Sequence, residues 1–231
     1  MNLVECLMKT GLTRNESELY VALSREGELT GYEAAKITGI PRANAYQALS
    51  GLVDKGGAYI IEGSVPHYTA VPVEEYCRNV IEHLEETLET IKRECPQLRQ
   101  PSEPYITITG FKHISDKMRN IISDAKERIY ISIPHKKLDY WIEDLELAVR
   151  RGLKVVTIVP EGLGPEGAIV YRINGQQPVQ VSLIADSSHV ITGEITGGEF
   201  DTCLYSKNKS LVQLIKDSLK NQIRLSELEK T

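Results

Sequence analysis

The spacing of apolar positions changes character along the chain, and each change marks a different element. Thr13-Arg14-Asn15-Glu16 and Thr30-Gly31-Tyr32-Glu33 both have the Thr-x-x-Glu form of a capping box. In such a box the hydroxyl accepts from an orphan helix N–H and the Glu reaches back. After the first box, Leu19, Val21, Ala22 and Leu23 give an apolar face that stops at Gly27. After the second, Ala34, Ala35 and Ile37 lead to Gly39, a left-handed helix terminator. Pro41 suits the first turn of a further helix, where its missing N–H is no loss. That helix is expected to run to about Lys55, with Ala45, Ala48, Leu49, Leu52 and Val53 inward, and to end at Gly56-Gly57. Strand-like runs at 58–62 and 67–71 flank Gly63-Ser64-Val65-Pro66. Two short helices joined by Thr38-Gly39-Ile40, with a hairpin appended, predict a winged helix-turn-helix over residues 1–72.

From Val73 the period changes. Cys77, Ile81, Leu84, Leu88, Ile91 and Cys95 are spaced 4, 3, 4, 3, 4, the a/d seam of a coiled coil. A lone helix of this length is marginal in water, so residues 73–96 need a partner. Self-pairing in a homodimer is preferred over packing on the chain's own domain, because twofold dimers read palindromic half-sites. The terminal cysteines are read as small apolar residues rather than a redox pair. Pro96 ends the helix, and 97–104, with Pro101 and Pro104, reads as a linker.

Beyond it, strands and amphipathic helices alternate. Strands are expected at 105–109, 128–133, 154–159, 179–184, 189–195 and 202–205. Helices are expected at 113–126, 138–151 and 211–225. Residues 160–178, with Gly162, Gly164, Pro165 and Gly167, read as a long loop, and Asp186-Ser187-Ser188 as a hairpin turn. The alternation predicts a largely parallel sheet covered on both faces in 105–231.

Composition narrows the function classes. With 41% hydrophobic and 26% charged residues the chain is an ordinary globular protein. It has no run long enough to span a membrane and no secretory pattern at its start, since Glu5 and Lys9 interrupt it; a cytoplasmic location is expected. Four scattered cysteines without a CxxC pair argue against zinc and against a disulfide framework. The net charge is −5, and residues 1–72 hold six Lys/Arg against eight Asp/Glu, so no segment is a polycation. DNA binding must therefore rest on specific side chains. If the second helix enters the major groove, Arg42, Ala43, Asn44, Gln47 and Ser50 lie on its outer face. Arg42 suits guanine or a phosphate, and Asn44 and Gln47 suit adenine edges. Tyr46 sits at the boundary, where packing on the wing is favoured over backbone contact, and His67 stands in the wing.

Gly11-Leu-Thr-x-x-Glu-x-x-x-Tyr20, Pro41-Arg42-x-x-x-Tyr46-x-x-Leu49-x-x-Leu52-x-x-Lys55-Gly56 and Tyr68-x-Ala70-Val71-Pro72 together resemble the winged helix of TrmB-type transcriptional regulators. Many of these respond to sugars. The resemblance implies a regulator of double-stranded DNA acting at a palindromic operator. Two positions depart from the pattern. The wing tip reads Val65-Pro66-His67 where the family is rich in Lys or Arg, and Ala45 stands where a larger aliphatic is common.

Residues 105–225 resemble the phospholipase D-like domain that follows the coiled coil in that family. The whole is then an α+β winged helix-turn-helix, a coiled-coil linker helix, and an α/β phospholipase D-like domain for dimerisation or effector sensing. The catalytic form of that domain needs His-x-Lys-x4-Asp. His189 is followed by Val190 and Ile191, while His135-Lys136-Lys137, placed on a loop, would need Asp where Ile142 stands. Neither restores the motif, and no nucleotide, metalloprotease or hydrolase signature is present, so neither an enzyme nor a cofactor is expected. Ligand crevices of α/β sheets lie at strand ends, which makes His135, Lys136, Glu161, Arg172, Asp186 and His189 candidates for a small-molecule effector. Longer family members add a sugar-binding domain, so sugar binding by that route is not implied. Two rivals remain: a winged-helix adaptor that binds protein without DNA specificity, suggested by the acidic winged helix and uncharged wing, and a phospholipase D-like phosphodiesterase.

Overall fold

A computed structural model describes residues 2–96, 105–160, 164–173 and 180–228, and the chain divides into two compact units, 1–98 and 99–231. The first holds α1 (Leu3–Met8), α2 (Arg14–Glu26), β1 (Leu29–Thr30), α3 (Gly31–Thr38), α4 (Arg42–Asp54), β2 (Ala58–Ile61), β3 (His67–Ala70) and α5 (Val73–Glu94). Its small antiparallel sheet runs β1-β3-β2. Both expected capping boxes form: Thr13 and Thr30 accept from the backbone N–H of Glu16 and Glu33, whose carboxylates accept in return. Leu19, Leu23, Ala34, Ala45, Leu49 and Leu52 close the core. Ala45 is fully buried, so its small side chain sets how closely α4 packs.

Three features of this unit differ from expectation. The helix α1 was not foreseen, although Asn2 and Glu5 form a third capping box. The two-residue β1 is too short to leave a pattern. Pro41 caps α4 from outside, with φ −52° and ψ 136°, instead of occupying its first turn; an extended ψ there lets its carbonyl accept from Ala45. The start of α5 belongs to the same core, since Tyr76 is buried, packs its ring at a tilt against Tyr20 and shares a hydrogen bond with Thr10 at 2.9 Å.

Glu16 joins α2 to the end of α4. Only 6% exposed, it accepts from Lys55 Nζ at 2.6 Å, while Lys55 also reaches the Gly11 carbonyl. Burial alone pushes this carboxyl up, but the Lys55 ammonium and the Thr13 groups outweigh it and hold the group below its ordinary value. A lowered value means the contribution is complete above about pH 4.3 and is lost as pH falls through the folded-state value. Glu16→Gln is expected to cost roughly 1–2 kcal/mol at neutral pH, less than a fully buried pair because Lys55 is partly in water. It should also flatten the acid limb of a denaturation-versus-pH series. An acid limb as steep as that of the wild type would contradict this role.

The second unit holds β4 (Ile106–Thr109), α6 (Phe111–Asp124), β5 (Arg128–Ser132), α7 (His135–Leu138), α8 (Ile142–Arg150), β6 (Lys154–Val159), β7 (Ile169–Arg172), β8 (Gln180–Ala185), β9 (His189–Glu194), β10 (Thr202–Ser206) and α9 (Lys209–Leu228). The sheet order is β4-β10-β9-β8-β5-β6-β7. Alternate residues face opposite layers: Ile129, Ile131 and Leu183 meet Ile114, Met118 and Leu145, whereas Ile184 and Val190 meet Val212 and Leu219 of α9. Both faces are covered, as expected.

The sheet is not largely parallel. Among the described residues only β5-β6 and β6-β7 run parallel; β4, β10, β9 and β8 pair antiparallel up to β5. The helix–strand alternation that sets parallel pairing stops after β6, and direct hairpins follow. Within the expected long loop lies β7, a half-exposed edge strand of four residues just beyond Pro165 and Gly167. The expected helix 138–151 is broken. Leu138, Trp141 and Leu145 are all fully buried at helical spacing, but Tyr140 and Trp141 donate three residues back, and Trp141 has φ −131°. Periodicity survived a local tightening that it does not encode. His135 begins the short helix α7 instead of lying on a loop.

Gly193 permits the close approach of β9 to β10. A Cβ there would meet the Thr202 carbonyl oxygen and stand 2.7 Å from the Cys203 Cα. Both are backbone, so Gly193→Ala should destabilise the domain by about 1–3 kcal/mol. The readout is a lower urea midpoint at unchanged slope; an unchanged midpoint would refute the close approach.

Candidate nucleic-acid interface

Ala45, Ala48, Leu49 and Leu52 turn one side of α4 into the core, which leaves Arg42, Ala43, Asn44, Gln47 and Ser50 exposed on the other. Among the described residues Arg42 makes no ion pair; its guanidinium lies 5.0 Å from the ring centre of Tyr32 at the start of α3. That stacking orders the side chain while leaving its N–H edges available. Asn44 and Gln47 line an open cleft with Arg14 and Asn15 of α2. Arg14, Asn15 and Tyr32 were not singled out from sequence. The two capping boxes fixed where α2 and α3 begin and so contained all three residues, but only the packing of α2 and α3 against α4 brings those helix starts beside the outer face of α4.

Tyr46 is exposed. It stands over Gly31, where a Cβ would come within 2.5 Å of its ring, so the absence of a side chain at 31 makes room for it. His67 is half-buried on β3. Its Nδ1 faces the Val65 carbonyl at 2.9 Å and stands 4.0 Å from Glu28, which leaves Nε2 for any outside contact.

The seam residues of α5 divide. Cys77 packs on the winged-helix core, together with Val80. Ile81, Leu84, Leu88 and Ile91 are 56%, 63%, 48% and 55% exposed, an apolar stripe open along the helix. Cys95 lies exposed just beyond the last helical residue.

The effector candidates do not converge. His135 and Arg172 stand at the C-terminal ends of β5 and β7. Asp186 and His189 stand at the opposite end of the sheet, because Ala185 pairs with Ile129 at the start of β5; the length of β5 separates the groups by about 13 Å. Glu161 and the side chains of His135 and Lys136 lie outside the described residues. The Asp186 carboxylate is engaged structurally, accepting from the backbone N–H groups of Lys126, Glu127 and Arg128 at 2.8–2.9 Å. Those bonds outweigh burial and lower its pKa. His189 meets the Tyr205 hydroxyl at 3.0 Å, and burial followed by repulsion from Lys207 and Lys117 lowers its pKa.

Asp186 also gives a frame for the phospholipase D motif. Counting back from it places the required His and Lys at positions 179 and 181, and both are Val. Val181 is buried in the core, so that frame offers neither nucleophile nor phosphate-holding lysine. Burial raises the Cys203 thiol to about 11, which leaves it unreactive. Among the described residues no cluster of His, Cys, Asp and Glu fits a metal ion, and no helix is long and apolar enough to cross a membrane.

Comparison with known proteins gives two family matches along the chain. Residues 7–74 match the family described as sugar-specific transcriptional regulator TrmB. Residues 105–221 match the N-terminal subdomain of the TrmB effector-binding domain. The uncharacterized protein YrhO of Bacillus subtilis is 28% identical, over 99% of this chain and 87% of its own length. The sugar-sensing regulator TrmBL1 of Pyrococcus furiosus is 29% identical over 76% of this chain, and the match spans 54% of TrmBL1. The solved structure of TrmBL2, an archaeal chromatin protein, is 22% identical with a TM-score of 0.44, covering 95% of this chain and 96% of that one. With the second family match alone covering just over half of the residues, the chain belongs to the TrmB family of transcriptional regulators.

Proposed function

We propose that the protein is a homodimeric, sequence-specific DNA-binding regulator in which α4 reads the major groove and the α/β domain responds to a small-molecule effector. The observation that carries this reading is the two-sided α4. Its inner side is core, and its outer side presents Arg42, Asn44 and Gln47 beside Arg14. These residue types match guanine, adenine and phosphate. The apolar stripe of α5 supports pairing with a second copy, since exposed Ile and Leu at heptad spacing call for a matching seam. Effector response is supported by the family match over 105–221 and by the sugar-sensing role in the name of TrmBL1.

Footprinting on genomic fragments tests the reading. Protection of two half-sites, centred about 34 Å or a multiple apart, is the expected result. The acidic winged helix favours one rival, an adaptor that binds protein. No protected sequence, with binding equal on all fragments, would favour that adaptor.

A further inference from the structure

We propose that the α/β domain carries a small anion-binding pocket between α9 and the β8–β9 turn, suited to the phosphate or carboxylate head of a ligand with a small apolar body. The cavity measures about 70 Å³. Buried Ile184 and Leu219 form its floor, and Arg128, Ser187, Lys216 and Lys220 surround it. No carboxylate lines it. Glu127 pairs with Arg128 at 2.9 Å and Asp217 with Lys220 at 3.7 Å, both as exposed pairs that water weakens. Among the described residues Lys216 has no carboxylate partner; its Nζ stands 3.4 Å from the Ser187 hydroxyl.

Three cations are thus gathered around an apolar hollow. Lys216 and Lys220 stand one helical turn apart, where like charges repel. An anion seated between them relieves that repulsion, and in a concave, partly dry site each contact is stronger than on open surface.

The walls are fixed in advance. Asp186 and Ser187 form the hairpin turn with φ of 49° and 53°, left-handed values for residues that are not glycine. The Asp186 carboxylate binds the backbone N–H groups of Lys126, Glu127 and Arg128. One side chain therefore ties the turn that offers Ser187 to the strand that offers Arg128. Asp186, expected as a ligand contact, acts here as a positioning residue.

This pocket deepens the effector part of the proposed function, and only the consequence for DNA rests on that reading; binding itself does not. The test uses the full chain and calorimetry at constant ionic strength with phenyl phosphate, benzoate and neutral phenol. Saturable binding of either anion but not phenol is expected, and the preferred anion tells a phosphate head from a carboxylate head. Lys216→Ala and Lys220→Ala, both at the protein surface, should each weaken binding at least about tenfold. Lys209→Ala, at the first residue of the same helix and outside the pocket lining, should leave it unchanged. No saturable binding, equal binding of phenol, or equal loss in Lys209→Ala would each overturn the pocket. DNA affinity measured in parallel separates the two claims. Intact DNA specificity without anion binding removes the pocket alone; anion binding without DNA specificity removes the regulatory reading alone.

Discussion

Aspartate at both Ile81 and Leu88 is expected to convert the proposed dimer to monomers and to lower operator affinity by roughly a hundredfold or more. Both positions lie in the exposed apolar stripe of α5, seven residues apart on one seam. Pairing two such stripes removes Ile and Leu side chains from water at about 1.5–3 kcal/mol each. The double variant forfeits that gain and places four carboxylates in the seam, where unpaired charge is costly. The winged-helix core should survive, because α5 is anchored to it through Tyr76, Cys77 and Val80, upstream of both substitutions. Sedimentation measures the first effect, and far-UV dichroism checks that folding is retained. A sedimentation profile matching the wild type would rule out this seam as the main interface. A monomer that binds the operator as tightly as the wild type would separate dimerisation from recognition.

Replacing Arg42 and Gln47 with alanine should leave the fold intact and remove most sequence preference. Both side chains are exposed, and neither contributes to the winged-helix core. Each good base contact contributes about 1–3 kcal/mol of discrimination, so the pair together should lower specific affinity by roughly thirtyfold or more. The pattern of loss identifies what Arg42 touches. If it meets a phosphate, Arg42→Ala weakens all sequences alike and lowers the salt slope by about one unit. If it meets a guanine, the loss is confined to the specific site. Arg14, beside Asn44 and Gln47 in the same cleft, is expected to behave as a phosphate contact. Unchanged specific affinity in the double variant would show that another face of the domain meets DNA.

What the sequence made legible follows from how locally each feature is encoded. Capping boxes, the Gly39 stop and the 3.6-residue period lie within a few residues of one another, so α2, α3, α4 and α5 could be placed closely. Strand direction is a long-range property. Nothing local shows that 202–206 pairs with both 106–109 and 190–194, so beyond the expected β8–β9 hairpin the antiparallel half of the sheet was missed. The outer face of α4 was readable because the inner face is apolar at fixed spacing. Tyr32 under Arg42 and Gly31 under Tyr46 were not, since those contacts depend on how α3 crosses α4. The separation of the effector candidates was illegible for a similar cause: register places Asp186 and His189 at one end of the sheet and Arg172 at the other. Asp186 was read as a turn residue and an effector candidate, and its carboxylate accepts from the backbone at the start of β5.

The most direct test of α4 as the reading element is the ratio of affinities for an operator fragment and its scrambled counterpart, at one physiological salt concentration. The winged helix carries more acidic than basic residues, so nonspecific attraction is weak and preference must come from base contacts. A ratio of about a thousand or more is predicted for the wild type, falling towards unity in Arg42→Ala/Gln47→Ala. A ratio near one for the wild type, or an unchanged ratio in the double variant, would contradict the account.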